Sequence, residues 1–317
     1  MSSCSACSPQ SPLVSRERYG LERIGRARVG VGYHVHVDGT LAFVTHNHGA
    51  SIVDVSDPAR PNEFAEIETT EASFGIFAHK GLAFVLDPGR GMLIVRIDDP
   101  EHPIVVGSCN VGWAASSVVV EGTTAYVSDR EQGLRVVDVS DPTRPIVIND
   151  AYGRYRGEDI TISGDTAYLA CSSNGVHVID ISDPTMPRRI GRIGGGATGV
   201  AVQDTILVVT QGGGGVRAYD VSTPRSPRLL RQFFDGDEAL ATCFAGTYIA
   251  VADNMGGVEL LSLDPSGELV EVAQYETGSA THDVYCVGEY IYLADSGHGL
   301  LVLRASQEGL AESDPPA

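Results

Sequence analysis

Short apolar runs rich in Val, Ile and Tyr recur along almost the whole chain, broken every few residues by Gly, Asp or Pro. One stretch reads SSVVVEG, TAYVSD, LRVVDVSDP and PIVIND, that is, strand, turn, strand, turn, strand, Asp-Pro turn, strand. β-Branched and aromatic residues favour pleated backbone, and the intervening segments leave no room for a crossover helix. A four-stranded antiparallel sheet is therefore the predicted unit. Runs such as AYLA are apolar throughout instead of alternating, which calls for cover on both faces of the inner strands.

The unit repeats. SIVDVSDP ends at Pro58 and returns as LIVRIDDP at Pro100, RVVDVSDP at Pro142, HVIDISDP at Pro184 and RAYDVSTP at Pro224, at intervals of 42, 42, 42 and 40 residues. A degenerate copy, VELLSLDP, ends 41 residues later at Pro265, and a seventh reaches GLLVLR at Arg304 without the closing Asp-Pro. Self-similarity at this fixed period is the mark of a repeat architecture, and seven such sheets predict an all-β, seven-bladed β-propeller of four-stranded antiparallel blades. Asp-Pro suits the turn after the third strand, because Pro fixes φ and Asp accepts backbone N–H groups.

The seventh copy has only three strands. The segment from Glu22 to Val29, ERIGRARV, resembles the fourth strand of the fourth copy, RRIGRI (Arg188 to Ile193). Residues 21–29 are thus expected to complete the last blade and close the ring. The expected organisation is a single propeller over residues 21–305, between flexible tails at 1–20 and 306–317, in a monomeric chain.

The VDVSDP phrase, preceded by a GxxAYVA-like strand, resembles the LVIVD-repeat family over about residues 30–304. The resemblance implies a β-propeller scaffold and says little about activity. The second, sixth and seventh copies depart from the phrase, with Arg96 and Leu303 near positions where other copies carry Asp.

Composition narrows the function. With 43% hydrophobic residues, 37 Gly and 16 Pro, the chain is globular and rich in turns, so disorder and membrane spanning fit poorly. Forty-one acidic against 22 basic residues give a formal charge of −19, which repels nucleic acid and anionic lipid and favours cationic partners or metal ions. The N-terminal MSSCSACSPQSP lacks the charged start and apolar stretch of a secretory signal, so a cytoplasmic setting is expected. Cys4 and Cys7 have no second pair at zinc-site spacing, which favours a tail over a metal knuckle. Cys109, Cys171, Cys243 and Cys286, in or beside predicted strands at wide spacing, are expected to be reduced, packed thiols.

Candidate chemistry concentrates on one face. In a propeller the first strand of each blade lines the central channel, and its start shares a face with the turn between the second and third strands. Aligned copies place His34, Ile76, Ser117, Asp159, Gly199, Ala241 and Asp283 in a ring at the channel mouth, preceded by Tyr33, Gly75, Ser116, Glu158, Thr198, Leu240 and His282. The turns add THNHG in the first copy and ADSGHG in the seventh, so five of the nine histidines fall on this face. Because blades one and seven are neighbours, His34, His46, His48, His282, Asp283, Asp295 and His298 are expected to cluster.

Imidazoles with carboxylates suit acid/base work or a divalent transition metal. The expected catalytic groups are His34, His282, Asp283, Glu158 and Asp159. The candidate metal ligands are His34, His46, His48, His282 and His298, and Tyr33, Trp113, Arg130 and Asp295 are candidate ligand contacts. Turn chemistry alone is the plain alternative, since Asp, Asn, Gly and His suit tight turns. His36, His79, His102 and His177 read as structural. The Gly-rich runs GRIGGGATG and TQGGGGV do not lead into a helix and are not phosphate cradles, and no nucleophile elbow occurs. The expected function is a channel-mouth pocket for a small molecule or peptide, with or without a metal, extending to lyase, isomerase, cyclase or hydrolase chemistry. The alternative is a noncatalytic protein–protein interaction scaffold; surface adhesion is disfavoured by the lack of a signal.

Overall fold

Each copy of the repeat folds as an antiparallel meander in which consecutive strands pair. In the first, His34–Asp38, Leu41–His46, Gly49–Asp54 and Asn62–Glu68 lie in that order across one sheet. The structure, a computed structural model, describes residues 19–150, 153, 155–234, 236–263 and 268–307, and its strands form seven such four-stranded sheets, a seven-bladed β-propeller. Among the described residues no helix is long and apolar enough to cross a membrane.

The core is distributed. Seven clusters of buried residues are found among the described residues, and each joins two neighbouring blades. Between blades one and two, for example, Phe43 and Ile52 pack on Ile76, Val85 and Leu93. This two-sided cover is why second strands such as Leu82–Asp87 are buried at nearly every position, with no alternation.

The Asp-Pro phrase has two structural roles. Within the turn, the Ser56 N–H donates to Asp54 Oδ1 at 2.9 Å and the Ala59 N–H to Asp57 Oδ1 at 3.1 Å, and Asp180 and Asp183 repeat the arrangement with Ser182 and Thr185. The turn then docks on the outermost strand of the preceding blade. A Cβ at Gly107 would stand 2.1 Å from the Pro142 carbonyl oxygen, and one at Gly25 would stand 2.1 Å from that of Pro58, so only glycine admits the contact.

Gly25 lies in the N-terminal strand, which shows that this strand serves as the outer strand of blade seven. Tyr19–Ala27 pairs antiparallel with Gly299–Gln307, from Tyr19 opposite Gln307 to Ala27 opposite Leu300, with a bulge between Arg23 and Gly25. Arg26 Nε donates to the His298 carbonyl at 3.1 Å, and Arg304 pairs with Glu22 at 3.1 Å. The paired strands take in Tyr19, Gly20, Ser306 and Gln307. The rest of the expected tails, 1–18 and 308–317, lies outside the described residues.

The cysteine expectation is corrected. Cys243 and Cys286 form a disulfide, with Cα atoms 5.9 Å apart, while Cys109 and Cys171 are free. Their 43-residue separation is about one repeat, which puts them on the first strands of adjacent blades, six and seven, where sequence distance becomes lateral contact.

Two outcomes follow. Deleting residues 1–27 is expected to lower Tm by about 10 °C or more relative to deleting residues 1–18, because one blade loses a strand and one inter-blade core loses its cover. Equal melting temperatures would refute closure by this strand. Replacing both Cys243 and Cys286 by Ala is expected to cost about 2–4 kcal/mol in denaturant unfolding, and an unchanged midpoint would deny the bond a stabilising role.

Candidate functional site

The seven first strands stand around the axis with their starts at the same end. All seven ring positions expected from the repeat alignment, from His34 round to Asp283, line one central cavity of about 740 Å³. Tyr33, Phe74, Arg130, Glu158 and His282 contribute to its mouth, and further along the strands His36, Phe77, Tyr285 and the Cys243–Cys286 disulfide contribute to its wall.

Asp159 and Asp283 occupy equivalent places in blades four and seven, and each reaches the next blade. The Val200 N–H donates to Asp159 Oδ2 at 3.0 Å, and the Val35 N–H donates to Asp283 Oδ2 at 2.9 Å. These bonds are structural, yet the fold does not require carboxylates here: the other copies carry His34, Ile76, Ser117, Gly199 and Ala241. His34 Nε2 lies 3.5 Å from Asp283 Oδ2, with the two side chains 24% and 14% exposed. His34 Nδ1 is buried without a hydrogen-bond partner.

Burial raises the Asp159 carboxyl above its ordinary range and the nearby Asp283 charge adds to the rise, against hydrogen bonds from Val200 and Ser117 and the attraction of His34. Asp283 is also raised by burial, opposed by His34 and by the N–H groups of Val35 and Val284. Both carboxyls thus hold their protons more tightly than a surface aspartate.

The rim is aromatic and ionic. The Tyr33 ring lies 5.0 Å from that of Phe74 and 5.7 Å from the His282 imidazole, and its hydroxyl donates to Asn47 Oδ1 at 2.6 Å. The Arg130 guanidinium sits 5.7 Å from the Phe74 centroid and donates to Glu158 Oε2 at 2.8 Å. Arg156 holds the other Glu158 oxygen at 2.6 Å. His282 Nε2 is 2.7 Å from Ser296 Oγ, and burial lowers its pKa against the pull of Asp295 and Asp283.

The expected seam cluster divides in two. His34, His282 and Asp283 line the cavity, together with Tyr33, Arg130, Glu158 and Asp159; His46, His48, His298, Asp295 and Trp113 do not. The turns that carry these histidines join second and third strands, about 5 and 10 Å outward from the channel wall. There His46 Nε2 lies 3.1 Å from Ser51 Oγ and 3.5 Å from Glu66, and its Nδ1 accepts the His48 N–H at 3.2 Å. His298 Nδ1 lies 2.7 Å from Asp295 Oδ1. Burial raises the Asp295 carboxyl, but hydrogen bonds from Ser279, His298 and the Gly297 N–H outweigh it and hold the group below its ordinary range. Asp295 is therefore a turn former. Trp113 is 67% exposed on the loop entering blade three.

Among the described residues no group of three or more His, Cys, Asp and Glu side chains is placed to hold a metal ion, so the five candidate histidine ligands do not assemble into one site. His36, read as structural, lines the cavity but is tied to the fold. Its Nε2 lies 2.9 Å from the Ala78 carbonyl oxygen, its ring packs on Phe77 and Tyr285, and burial lowers its pKa to about 4. Phe74, absent from the sequence candidates, had one signal: it precedes ring position Ile76 by two residues, in the loop entering blade two.

A carboxyl whose folded-state pKa lies above its unfolded value takes up protons on folding, so its contribution to stability is lost as pH rises from about 3.8 through the folded value. Asp159→Asn and Asp283→Asn are each expected to raise stability at pH 7.5 by about 1 kcal/mol, with the gain shrinking towards pH 4. Calorimetry of each variant against the parent across that range checks this, since contributions from His36 and His177 cancel in the difference. A difference independent of pH would contradict the raised carboxyls.

No curated protein matches the chain in sequence. Solved structures match it in fold. The Pan2 WD40 domain of Neurospora crassa is 12% identical with a TM-score of 0.67, covering 93% of this chain and 97% of that one. U3-55K is 10% identical with a TM-score of 0.73, covering 90% and 98%, and BamB from Moraxella catarrhalis is 14% identical with a TM-score of 0.59, covering 86% and 82%. At these identities the likeness is one of architecture. In sequence, the LVIVD repeat matches residues 30–69, 76–111, 112–150, 156–193 and 278–306, more than half of the chain and on both sides of the seam, so the protein belongs to the LVIVD repeat family.

Proposed function

We propose that the mouth of the central channel is a binding site for a small organic molecule, with His34 and Asp283 positioned to exchange a proton with it. The observation that carries this reading is the His34–Asp283 contact of 3.5 Å on the wall of the cavity, combined with a buried, unpartnered His34 Nδ1. Buried polar atoms are ordinarily satisfied, and an orphaned nitrogen on a cavity-lining residue is a group that a ligand can satisfy. The cavity volume lies within the range of small-molecule sites. Asp283, whose carboxyl burial holds above its ordinary range, can donate a proton, and an imidazole nitrogen is a base able to accept one. Such a pair serves binding, and it is also the minimum equipment for a lyase, isomerase, cyclase or hydrolase.

A second reading, noncatalytic docking of a protein or peptide on the same face, is favoured by one feature. Phe74, Trp113, Phe234 and Met255, between 39% and 67% exposed, all lie in loops or turns at the mouth end of the blades. Exposed aromatic and Met side chains are common anchors for partners.

Thermal-shift screening of a metabolite library, followed by calorimetry, separates the two. Small-molecule binding that weakens at least about tenfold in His34→Ala and Asp283→Asn and is unchanged in Trp113→Ala is the expected result. A library without any binder dependent on His34 would overturn the reading, and a protein partner lost on Trp113→Ala alone would favour the scaffold.

A further inference from the structure

The geometry points to an organic ammonium ion, an amine carried on an aromatic or alkyl body, as the class of ligand this channel takes. The inference rests on the binding reading above and goes beyond it by assigning the ligand a charge.

The charge of the lining carries the case. Asp159 and Asp283 project from blades four and seven, on nearly opposite walls of a seven-membered ring, and both line the cavity. No cation on the wall answers them in full. Arg130, the one Arg or Lys among the described lining residues, is committed at 2.8 Å to Glu158. His34 stands 3.5 Å from Asp283 and also attracts Asp159, so one imidazole faces two carboxyls. His36 and His282 have burial-lowered affinities for protons and add little positive charge near neutral pH. The cavity therefore holds two carboxyls and less than two compensating charges, and burial, joined at Asp159 by the Asp283 charge, raises the pKa of both.

A ligand that supplies the missing charge must also fit the rim. Tyr33 and Phe74 stand 5.0 Å apart at the mouth, and Phe74 lies 5.7 Å from the Arg130 guanidinium, so the rim already pairs an aromatic ring with a cation. An ammonium group has three N–H donors and no acceptor, which suits a wall that carries carboxylates better than it suits any neutral group. An anionic ligand would meet the same two carboxyls as repulsion, in a protein whose formal charge is −19. A bare metal ion fits less well, because no group of three or more ligating side chains converges among the described residues.

The test compares three probes of one shape and different charge: phenethylamine, 2-phenylethanol and 3-phenylpropionate, measured against the whole protein by calorimetry at pH 7.5 and low salt. The expected order is phenethylamine tightest, with the alcohol and the carboxylate each weaker by more than about tenfold. Asp159→Asn and Asp283→Asn are each expected to weaken the amine by more than about tenfold and to weaken the alcohol several-fold less than the amine, with melting curves confirming that both variants fold. Equal binding of the three probes, or tighter binding of the carboxylate, overturns the ammonium assignment and leaves the pocket standing. Failure of phenethylamine to bind the parent protein also overturns it, whereas the pocket reading falls only if the wider library yields no binder dependent on His34. The wild-type comparison needs no variant, so the assignment stays open to refutation even if a substitution prevents folding.

Discussion

No blade of this protein owns a core. Every large apolar cluster among the described residues lies between two neighbouring blades, so each sheet is stable only if both of its faces are covered, and a row of such sheets must close on itself. That requirement explains the apolar inner strands, the Asp-Pro turn that docks on the outer strand of the preceding blade, and the glycine that turn demands. It also explains the use of an N-terminal strand to finish the last blade, since Gly25 meets Pro58 as Gly107 meets Pro142. Closure draws strands from both ends of the described chain into one sheet and places blade seven against blade one.

The ring fixes the channel, and the channel sets an electrostatic problem. Most of its ring positions are filled by apolar or small groups, which the fold tolerates at little cost. Asp159 and Asp283 break that pattern. Each accepts a backbone N–H from the next blade, a role that a neutral amide would fill without the penalty of enclosing a carboxylate. A residue type that costs stability where a neutral one would serve is the expected signature of a site kept for function. The Cys243–Cys286 bond and the His36 contacts, by contrast, knit the wall of the same channel and ask for no ligand.

Much of the architecture was legible in the residues because it repeats. The VDVSDP phrase returned at a nearly constant interval, and the likeness of ERIGRA to RRIGRI pointed to the closing strand, a likeness that includes the glycine, since Gly25 faces the Pro58 carbonyl as Gly191 faces that of Pro224. The ring of lining positions followed from the same alignment. What was not legible was radial distance. His46, His48 and His298 share a face with His34 and His282, but their turns sit one or two strands farther from the axis, and face membership says nothing about that separation. The disulfide was hidden for a related reason. Cysteines 43 residues apart look remote in a list of spacings, yet one repeat is the separation that places two residues side by side on adjacent blades. Phe74 was missed because it lies ahead of the aligned ring, in a loop whose length varies between copies.

The central claim is that two carboxyls are held in the channel at a cost in free energy. It is tested most directly by carbon-13 NMR titration of aspartate carboxyl groups, with Asp159 and Asp283 assigned by single substitution. The account predicts that both titrate above the ordinary aspartate value of 3.8, and that removing the Asp283 charge lowers the pKa of Asp159. Two carboxyls titrating at or below that value, each indifferent to the other, would contradict it.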